Sequence, residues 1–271
     1  MRNAQIKDAL AKFARAFPKE KRAWQSAAAL GLAVLFVVCA LVVANRPGGA
    51  AEAAALKKEL PIYCVSATEK IAALSFDAAW GNEDTQQLID ILARHDVKVT
   101  FFVVGDWARK YPESVKALHD AGHEIMNHSN KHEHMTQLSA AQIVENLNTC
   151  NQAIADVTGV TPTLFRKPYG EYDDKVIRAV RSMGMEPIQW DVDSLDWKDL
   201  TAAQITERVT SRVKPGSIVL FHNAAKHTPE ALPYILEKLL ADGYKLVMIS
   251  ELLHPTPYTL DHEGRQSPAT R

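Results

Sequence analysis

From residue 61 onward, short apolar runs of strand composition alternate with stretches of helical periodicity. The strand-like runs are Ile71–Phe76, Val97–Val104, His123–Met126, Thr163–Arg166, Glu186–Trp190, Ser217–Phe221 and Tyr244–Ile249. Between them lie helical patterns, the first over Thr85–Arg94 through Leu88, Ile89, Ile91 and Leu92. Others cover Pro112–Ala121, Ser139–Thr158, Asp174–Met183, Thr201–Val213 and Thr228–Ala241. Ser139-x-x-Gln142 and Thr201-x-x-Gln204 read as capping boxes, as does Asp84 with Gln87. Thr228-Pro229 reads as an N-cap followed by proline at the first helical position. Gly122, Gly159, Gly184 and Gly243 stop helices. Strand, helix, strand in repeating units of about 30 residues implies parallel pairing through right-handed crossovers. About seven parallel strands fit an α/β barrel or an open doubly wound sheet.

Either architecture gathers ligand sites at the C-terminal ends of its strands. Asp77, His128, Arg166, Asp193 and His222 all follow strand-like runs, so five loops would bring their polar residues to one rim. His128 and His132 stand four positions apart and can face the same way. Neutral imidazole is the commonest metal ligand, so the pair is a candidate metal site. Alone, in a stretch that also holds His123 and His134, it would equally describe a histidine-rich surface. The other four strand-end residues are what raise it above that.

The remainder of the chain has a different character. Residues 1–22 hold seven Lys/Arg against Asp8 and Glu20, a basic segment expected in the cytoplasm. Residues 23–45 carry no charge, and Ala27 to Ala44 is unbroken apolar sequence if Gly31 is counted. About 20 such residues cross a bilayer, which predicts a single-pass anchor with the body outside the cytoplasm. A signal peptide cut after Val42-x-Ala44 is the alternative. Residues 46–60 are Gly/Ala-rich and read as a linker, 61–253 as the folded domain, and 254–271 as a frayed polar tail. Of the 31 Lys/Arg and 32 Asp/Glu, 24 and 30 remain after residue 22, and an acidic body argues against a nucleic-acid partner. Cys39 lies in the apolar run, and Cys150 shares a helical stripe with Ile143, Leu147 and Ile154. The predicted location permits a Cys64–Cys150 disulfide, but the spacing gives it no support.

Five short stretches carry a resemblance. In chain order they are Leu74-Ser75-Phe76-Asp77, His128-Ser129-x-x-His132, Arg166-x-Pro168-Tyr169-Gly170, Asp193-Ser194-x-Asp196-Trp197 and Leu220-x-His222. Their order and spacing resemble the motifs of the polysaccharide deacetylases of carbohydrate esterase family 4, over about Lys70 to Leu253. The resemblance implies a distorted (β/α) barrel and metal-assisted hydrolysis of an acetamide on a polysaccharide. It implies a divalent cation, zinc or another first-row transition metal, held by His128 and His132. Asp77 would be the general base, Arg166 its orienting partner, and His222 the general acid tuned by Asp196. The Tyr169 backbone N–H would help stabilise the oxyanion, and Trp197 and Leu220 would wall the acetyl pocket.

Two positions depart from the pattern. Ala78 stands where the family usually has a second aspartate that completes the metal site, and Lys167 replaces a common proline. Asp84, Glu83 and Asn82 are candidate replacements for the missing ligand, Asp84 foremost because it opens the following helix; N-capping is its competing role. Cys64 precedes its strand and should lie at the wrong end of the barrel. The stretch Phe76-Asp77-Ala78-Ala79-Trp80-Gly81 resembles a membrane-anchored, sporulation-associated branch that acts on peptidoglycan. Trp80 would then be a platform for sugar rings, with core packing as its plain alternative. These readings predict a monomeric peptidoglycan de-N-acetylase in the cell membrane, with its catalytic domain outside. Ala78 keeps a second reading open, a glycan-binding pseudo-enzyme without a complete metal site. A glycosidase built on paired carboxylates would leave the histidines without roles.

Overall fold

The structure is a computed structural model and describes residues 58–269. The described residues from Glu59 onward form one compact unit, the larger of two into which the chain divides. The basic segment 1–22, the membrane or signal segment 23–45 and nearly all of the linker 46–60 lie outside the described residues.

The larger unit is organised around β2 (Ile71–Ala78), which follows the short β1 (Cys64–Val65). Seven of its eight residues are buried, as expected of a parallel strand covered on both faces. Then come α1 (Thr85–Arg94), β3 (Thr100–Val103), α2 (Gly105–Lys110), α3 (Pro112–Asp120), β4 (Glu124–Asn127) and α4 (Ala140–Thr158). The chain continues through β5 (Leu164–Arg166), α5 (Asp174–Ser182), β6 (Glu186–Ile188), β7 (Val192–Asp193) and α6 (Ala202–Thr210). It closes with β8 (Ile218–His222), α7 (Thr228–Ala241), β9 (Lys245–Val247), α8 (Ile249–Leu252), β10 (Tyr258–Leu260) and β11 (Arg265–Pro268). The main sheet runs β6-β5-β4-β3-β2-β8-β7, all parallel, with β9 also paired to β2.

The alternation of strand and helix therefore yields the expected parallel α/β sheet, but the barrel is not closed by strands. The end strands β6 and β7 are short and do not pair with each other. Pro187 in β6 has no N–H to offer a further strand, which suits it to an edge. The segment before β1 bridges the sheet instead, Ile62 pairing with Ile188 and Cys64 with Ser217. Gly216 makes that approach possible: its φ is +84°, and a Cβ there would sit 1.9 Å from the Val65 carbonyl oxygen.

The helix-facing side of the sheet stacks Phe76 between Phe101 and Phe221, with ring centroids 5.0 and 5.2 Å away. The inner side is filled from below by Ile62, Phe102, Met126, Ile188, Ile218 and Val247, leaving the upper rim to polar groups. Both Ser139 and Thr201 form the expected reciprocal caps with Gln142 and Gln204. Cys64 and Cys150 are buried free thiols.

Three local expectations are corrected. Asp84 does not cap α1; its side chain makes no cap hydrogen bond, and Oδ2 accepts from the Ala224 N–H at 2.8 Å. Thr228 is not the N-cap of α7 but its first residue, and its hydroxyl is drawn inward to Asp196. Residues 254–271 are not a frayed tail: β10 and β11 form an antiparallel hairpin that adds β11 in parallel to β1. That hairpin turns on Gly264 and on the Asp261 carboxylate, which accepts from the Glu263 and Arg265 N–H groups. A turn held by aspartate and glycine between short strands, rich in Ser, Thr and Arg, hides in a polar composition.

Candidate active site

The register of three strands sets the site. β2 places Asp77 opposite His222 of β8 and Phe102 of β3, and β3 places Val103 opposite Asn127, one residue before His128. These strand ends open into a cavity of about 480 Å³ lined by Asp77, His128, His132, Asp193, Leu220 and His222. Trp80, Lys167, Tyr169, Gly170, Trp190 and Trp197 complete the wall.

Asp77 is the buried centre of a charge network. Arg166, fully buried, donates from Nη1 to Asp77 Oδ1 at 2.9 Å and from Nη2 to Ser75 Oγ at 2.8 Å. Ser75 is itself held by the Val219 carbonyl at 2.7 Å, so the guanidinium is fixed from β2, β5 and β8 together. Burial opposes ionisation of Asp77, but His128, Arg166 and His222 overcome it and hold the carboxyl below its ordinary range. The guanidinium also lies over the Phe102 ring at 4.2 Å.

His128 donates from Nδ1 to the Arg166 carbonyl at 2.8 Å, which leaves the Nε2 lone pair free and 3.5 Å from Asp77 Oδ2. Burial is the main cause that lowers its pKa, while the Asp77 charge works against it. His132, on the following turn, has a ring centroid 5.1 Å from that of His128. Burial, then the neighbouring His128, push its pKa down to about 4. His132 and Ser129 both have left-handed backbones, and Ser129 Oγ accepts from the His132 N–H at 2.9 Å. Two imidazoles held this way suit a divalent cation as far as two ligands go.

A third protein ligand is missing. Among the described residues no three His, Cys, Asp or Glu side chains are grouped to hold a metal ion. The Ala78 methyl packs in the helix-side core with Phe76 and Val103. Asp84, the foremost candidate replacement, is contradicted: it does not line the cavity and is turned toward the β8–α7 loop. Glu83 accepts from the Asn82 N–H and Asn82 Nδ2 donates to Ser114, so those two are also committed elsewhere.

On the opposite flank of β2, His222 donates from Nδ1 to Asp196 Oδ1 at 2.8 Å, leaving Nε2 for the cavity. Asp196 Oδ2 accepts from the His222 N–H and from the Thr228 hydroxyl, both at 2.8 Å. Burial alone would lower the pKa of His222, but the hydrogen bond and charge of Asp196 raise it above its ordinary value. Asn223 follows and ties this loop to β2's, its Oδ1 accepting from the Ala79 N–H and its Nδ2 donating to the Gly81 carbonyl at 2.9 Å.

Around the mouth stand three aromatic rings more than half exposed: Trp80 at 60%, Trp197 at 59% and Tyr169 at 56%. That exposure rules out core packing for Trp80, which meets the His132 ring edge-on at 4.9 Å. Tyr169 has φ +59°, rare for a bulky residue, and stacks on His134 at 4.2 Å. Leu220 is almost fully buried in the floor. All the sequence-assigned site residues except Asp84 thus converge here, Arg166 and Asp196 from behind the wall. Sequence reasoning missed Ser75, Thr228, Asn223, Trp190 and Gln189. Asn223 had a signal, its place directly after the strand-end His222; Ser75, facing inward two residues before Asp77, had the strand's alternation.

The comparisons agree with this geometry. The polysaccharide deacetylase family model matches residues 65–188. PgdA, a peptidoglycan-N-acetylglucosamine deacetylase of Listeria monocytogenes, is 37% identical over 185 residues, covering 68% of this chain and 39% of its own. PdaA, a peptidoglycan-N-acetylmuramic acid deacetylase of Bacillus subtilis, is 30% identical over 202 residues, covering 73% of this chain and 77% of its own. The chain spans 61% of a further Bacillus subtilis relative, YlxY, so it falls short of two thirds of several proteins that it matches. Among solved structures, a CE4 family pseudoenzyme from Bacillus anthracis superposes with a TM-score of 0.69 at 36% identity, covering 71% of this chain and 68% of that one. A mutant of the same pseudoenzyme with restored enzymatic activity matches with the same TM-score at 37% identity, covering 71% of each chain. The fold, the five strand-end motifs and these likenesses lead to one conclusion: the chain belongs to the polysaccharide deacetylase family.

Proposed function

We propose that this protein is a hydrolase that removes N-acetyl groups from a cell-wall polysaccharide, with peptidoglycan as its substrate. The observation that carries this reading is the proton machinery. A carboxylate held below its ordinary pKa and an imidazole held above its own face one cavity from neighbouring strands. That pairing suits amide hydrolysis, in which water must lose a proton and the departing amine must gain one.

His128 and His132 are the residues that would hold the divalent metal, which when bound supplies polarisation of the acetamide carbonyl and a more acidic water. Asp77 Oδ2, the oxygen that Arg166 does not engage, takes the proton from the attacking water. Arg166 keeps that carboxylate ionised and fixes its plane. His222 gives its Nε2 proton to the amine as the carbon–nitrogen bond breaks, and Asp196 stabilises the imidazolium until then. Leu220 and Trp197 exclude water from the acetyl methyl, while Trp80 and Tyr169 offer ring faces to the sugar. The names of PgdA and PdaA support peptidoglycan as the polymer.

The sequence of residues 1–45 supports the finer location: a single-pass membrane protein with its domain outside the cytoplasm, in the sporulation-associated manner. Protease protection of the amino-terminal segment but not the domain in intact cells checks that topology. Acetate release from peptidoglycan on addition of zinc or another divalent metal tests the function. The expected result is release that disappears in Asp77→Asn and His222→Ala variants whose near-ultraviolet circular dichroism is unchanged. Release unaffected by both substitutions would refute the mechanism.

One observation favours a second reading. Ala78 leaves the cation with two protein ligands, and a pseudoenzyme is among the structures that the chain resembles. A glycan-binding protein without turnover would bind the polymer, hold no metal and release no acetate.

A further inference from the structure

One side chain in the cavity has no part in the chemistry above. Lys167 follows Arg166 at the end of β5, where related chains commonly carry proline. It lines the cavity, yet it is 1% exposed, and its Nζ has no hydrogen-bond partner. Its amine lies over the Tyr172 ring, 4.6 Å from the centroid. Buried polar groups are nearly always paired, and a buried lysine amine without a hydrogen bond is an exception that asks for an explanation. Simple filling does not supply one, since proline or methionine would fill the space without desolvating an amine. The shortage is shared: Arg166 Nε and Gln189 Oε1 are also buried without partners, and Arg166 reaches the Gln189 carbonyl at 3.3 Å.

We propose that Lys167 is a specificity residue that anchors a carboxylate on the substrate, so that the preferred ligand is an acidic N-acetylated sugar. This rests on the reading of the cavity as a glycan site. The amine has no hydrogen bond to break when its flexible stem turns from Tyr172 toward the cavity. Trp190, Gly170 and Tyr169 line the same cavity, and so do the carboxylates of Asp77 and Asp193. A carboxylate arriving there gives the amine the charged partner it lacks. Burial, then the Arg166 charge, hold the empty-site amine well below its ordinary pKa, and a carboxylate beside it would raise that pKa again. The charged or titratable groups around it are Arg166 and Asp77, with Tyr172 against its end and Asp193, His128, His132 and His222 on other parts of the cavity. Asp193 is the one carboxylate there without a cationic partner, and one of its oxygens is engaged by the Leu195 N–H at 2.8 Å.

The test is a binding titration on the full chain, read by tryptophan fluorescence, since Trp80, Trp190 and Trp197 all line the cavity. The probes are N-acetylmuramic acid with its carboxyl free and the methyl ester of that carboxyl. The expected result is roughly tenfold or greater preference for the acid, the effect of one charge-assisted hydrogen bond. Calorimetry in buffers of different ionisation enthalpy should show more proton uptake with the acid than with the ester. In Lys167→Met the ratio of the two dissociation constants should fall to about one and the difference in proton uptake should vanish; Lys167→Arg should keep a preference without that difference. Equal binding of acid and ester by the unmodified protein overturns the proposal, whether or not any variant folds. So does a preference that survives Lys167→Met. Acetate release is measured separately: preference without release refutes the hydrolase and leaves the anchor, and release without preference does the reverse.

Discussion

The two sides of the cavity are built to different standards. On the β8 side, every polar atom of the His222–Asp196–Thr228 chain that faces inward has a partner, and Asp196 alone accepts three hydrogen bonds. On the β4 side, His128 and His132 are held in place, but Ala78, the residue after Asp77, is a methyl group packed into the core. On the proposed function, the first side would be the arm that moves protons and the second the arm that holds a cation with two protein ligands. Buried charges cost stability unless every partner is present. Asp77 keeps its Arg166 cation and Asp196 its three donors, although Arg166 Nε stays buried without a partner, and Ala78 offers a cation no ligand.

The predictions break or sharpen that contrast, beginning with the largest effect. If the proton arm works, His222→Ala or Asp77→Asn should lower the rate of acetate release by about 10²–10⁴-fold. Steady-state assays on folded variants check this, and a change within a few-fold would reduce both residues to structural roles. Arg166→Met should cost about 3–5 kcal/mol in denaturant unfolding at neutral pH, because it leaves Asp77 buried without its cation. A loss under about 1 kcal/mol would mean that the two histidines suffice for Asp77.

Ala78→Asp is the sharpest probe of the cation arm. Metal affinity should rise on the order of tenfold or more, as expected for one added charged ligand, and competition with a chelator would read it. No change would mean that the cation does not bind near Ala78. On the proton arm, the pH dependence follows from His222. Its folded-state pKa is raised, so the stabilisation from its pairing with Asp196 is full below about 6.5 and is lost as pH rises through the raised value. Activity should fall across the same window, and Asp196→Asn should move that fall to lower pH in a rate profile. A profile that Asp196→Asn leaves in place would separate His222 from the titrating group. The smallest effect belongs to Thr228→Val, about 1 kcal/mol of stability from a lost hydroxyl bond to Asp196.

Much of this was readable in the sequence because parallel strands deliver their residues by simple rules. A polar residue at the end of an apolar run tends to reach the rim, and Asp77, His128, Asp193 and His222 line the cavity there, with Arg166 buried just behind them. Reciprocal caps were legible because Ser139 and Thr201 stand three residues before a glutamine. Asp84 has the same signature and fails, because the unpaired Ala224 N–H on a distant loop competes for its carboxylate. Thr228 was misread for the same reason, a long-range partner in Asp196 outweighing a local cap. The hairpin of β10 and β11 was missed because its partner strand lies some 200 residues earlier, at Cys64–Val65. The open seam between β6 and β7 depends on which short strands fail to meet, and periodicity does not report that.

The most direct test of the central claim, that a complete proton arm works with a two-histidine cation site, is acetate release from peptidoglycan by the unmodified chain and by Ala78→Asp, titrated with zinc. The account predicts that both release acetate, the unmodified chain needing more metal to reach its plateau. Release by Ala78→Asp alone, with none from the unmodified chain at any metal concentration, would contradict it and leave a glycan-binding protein in its place.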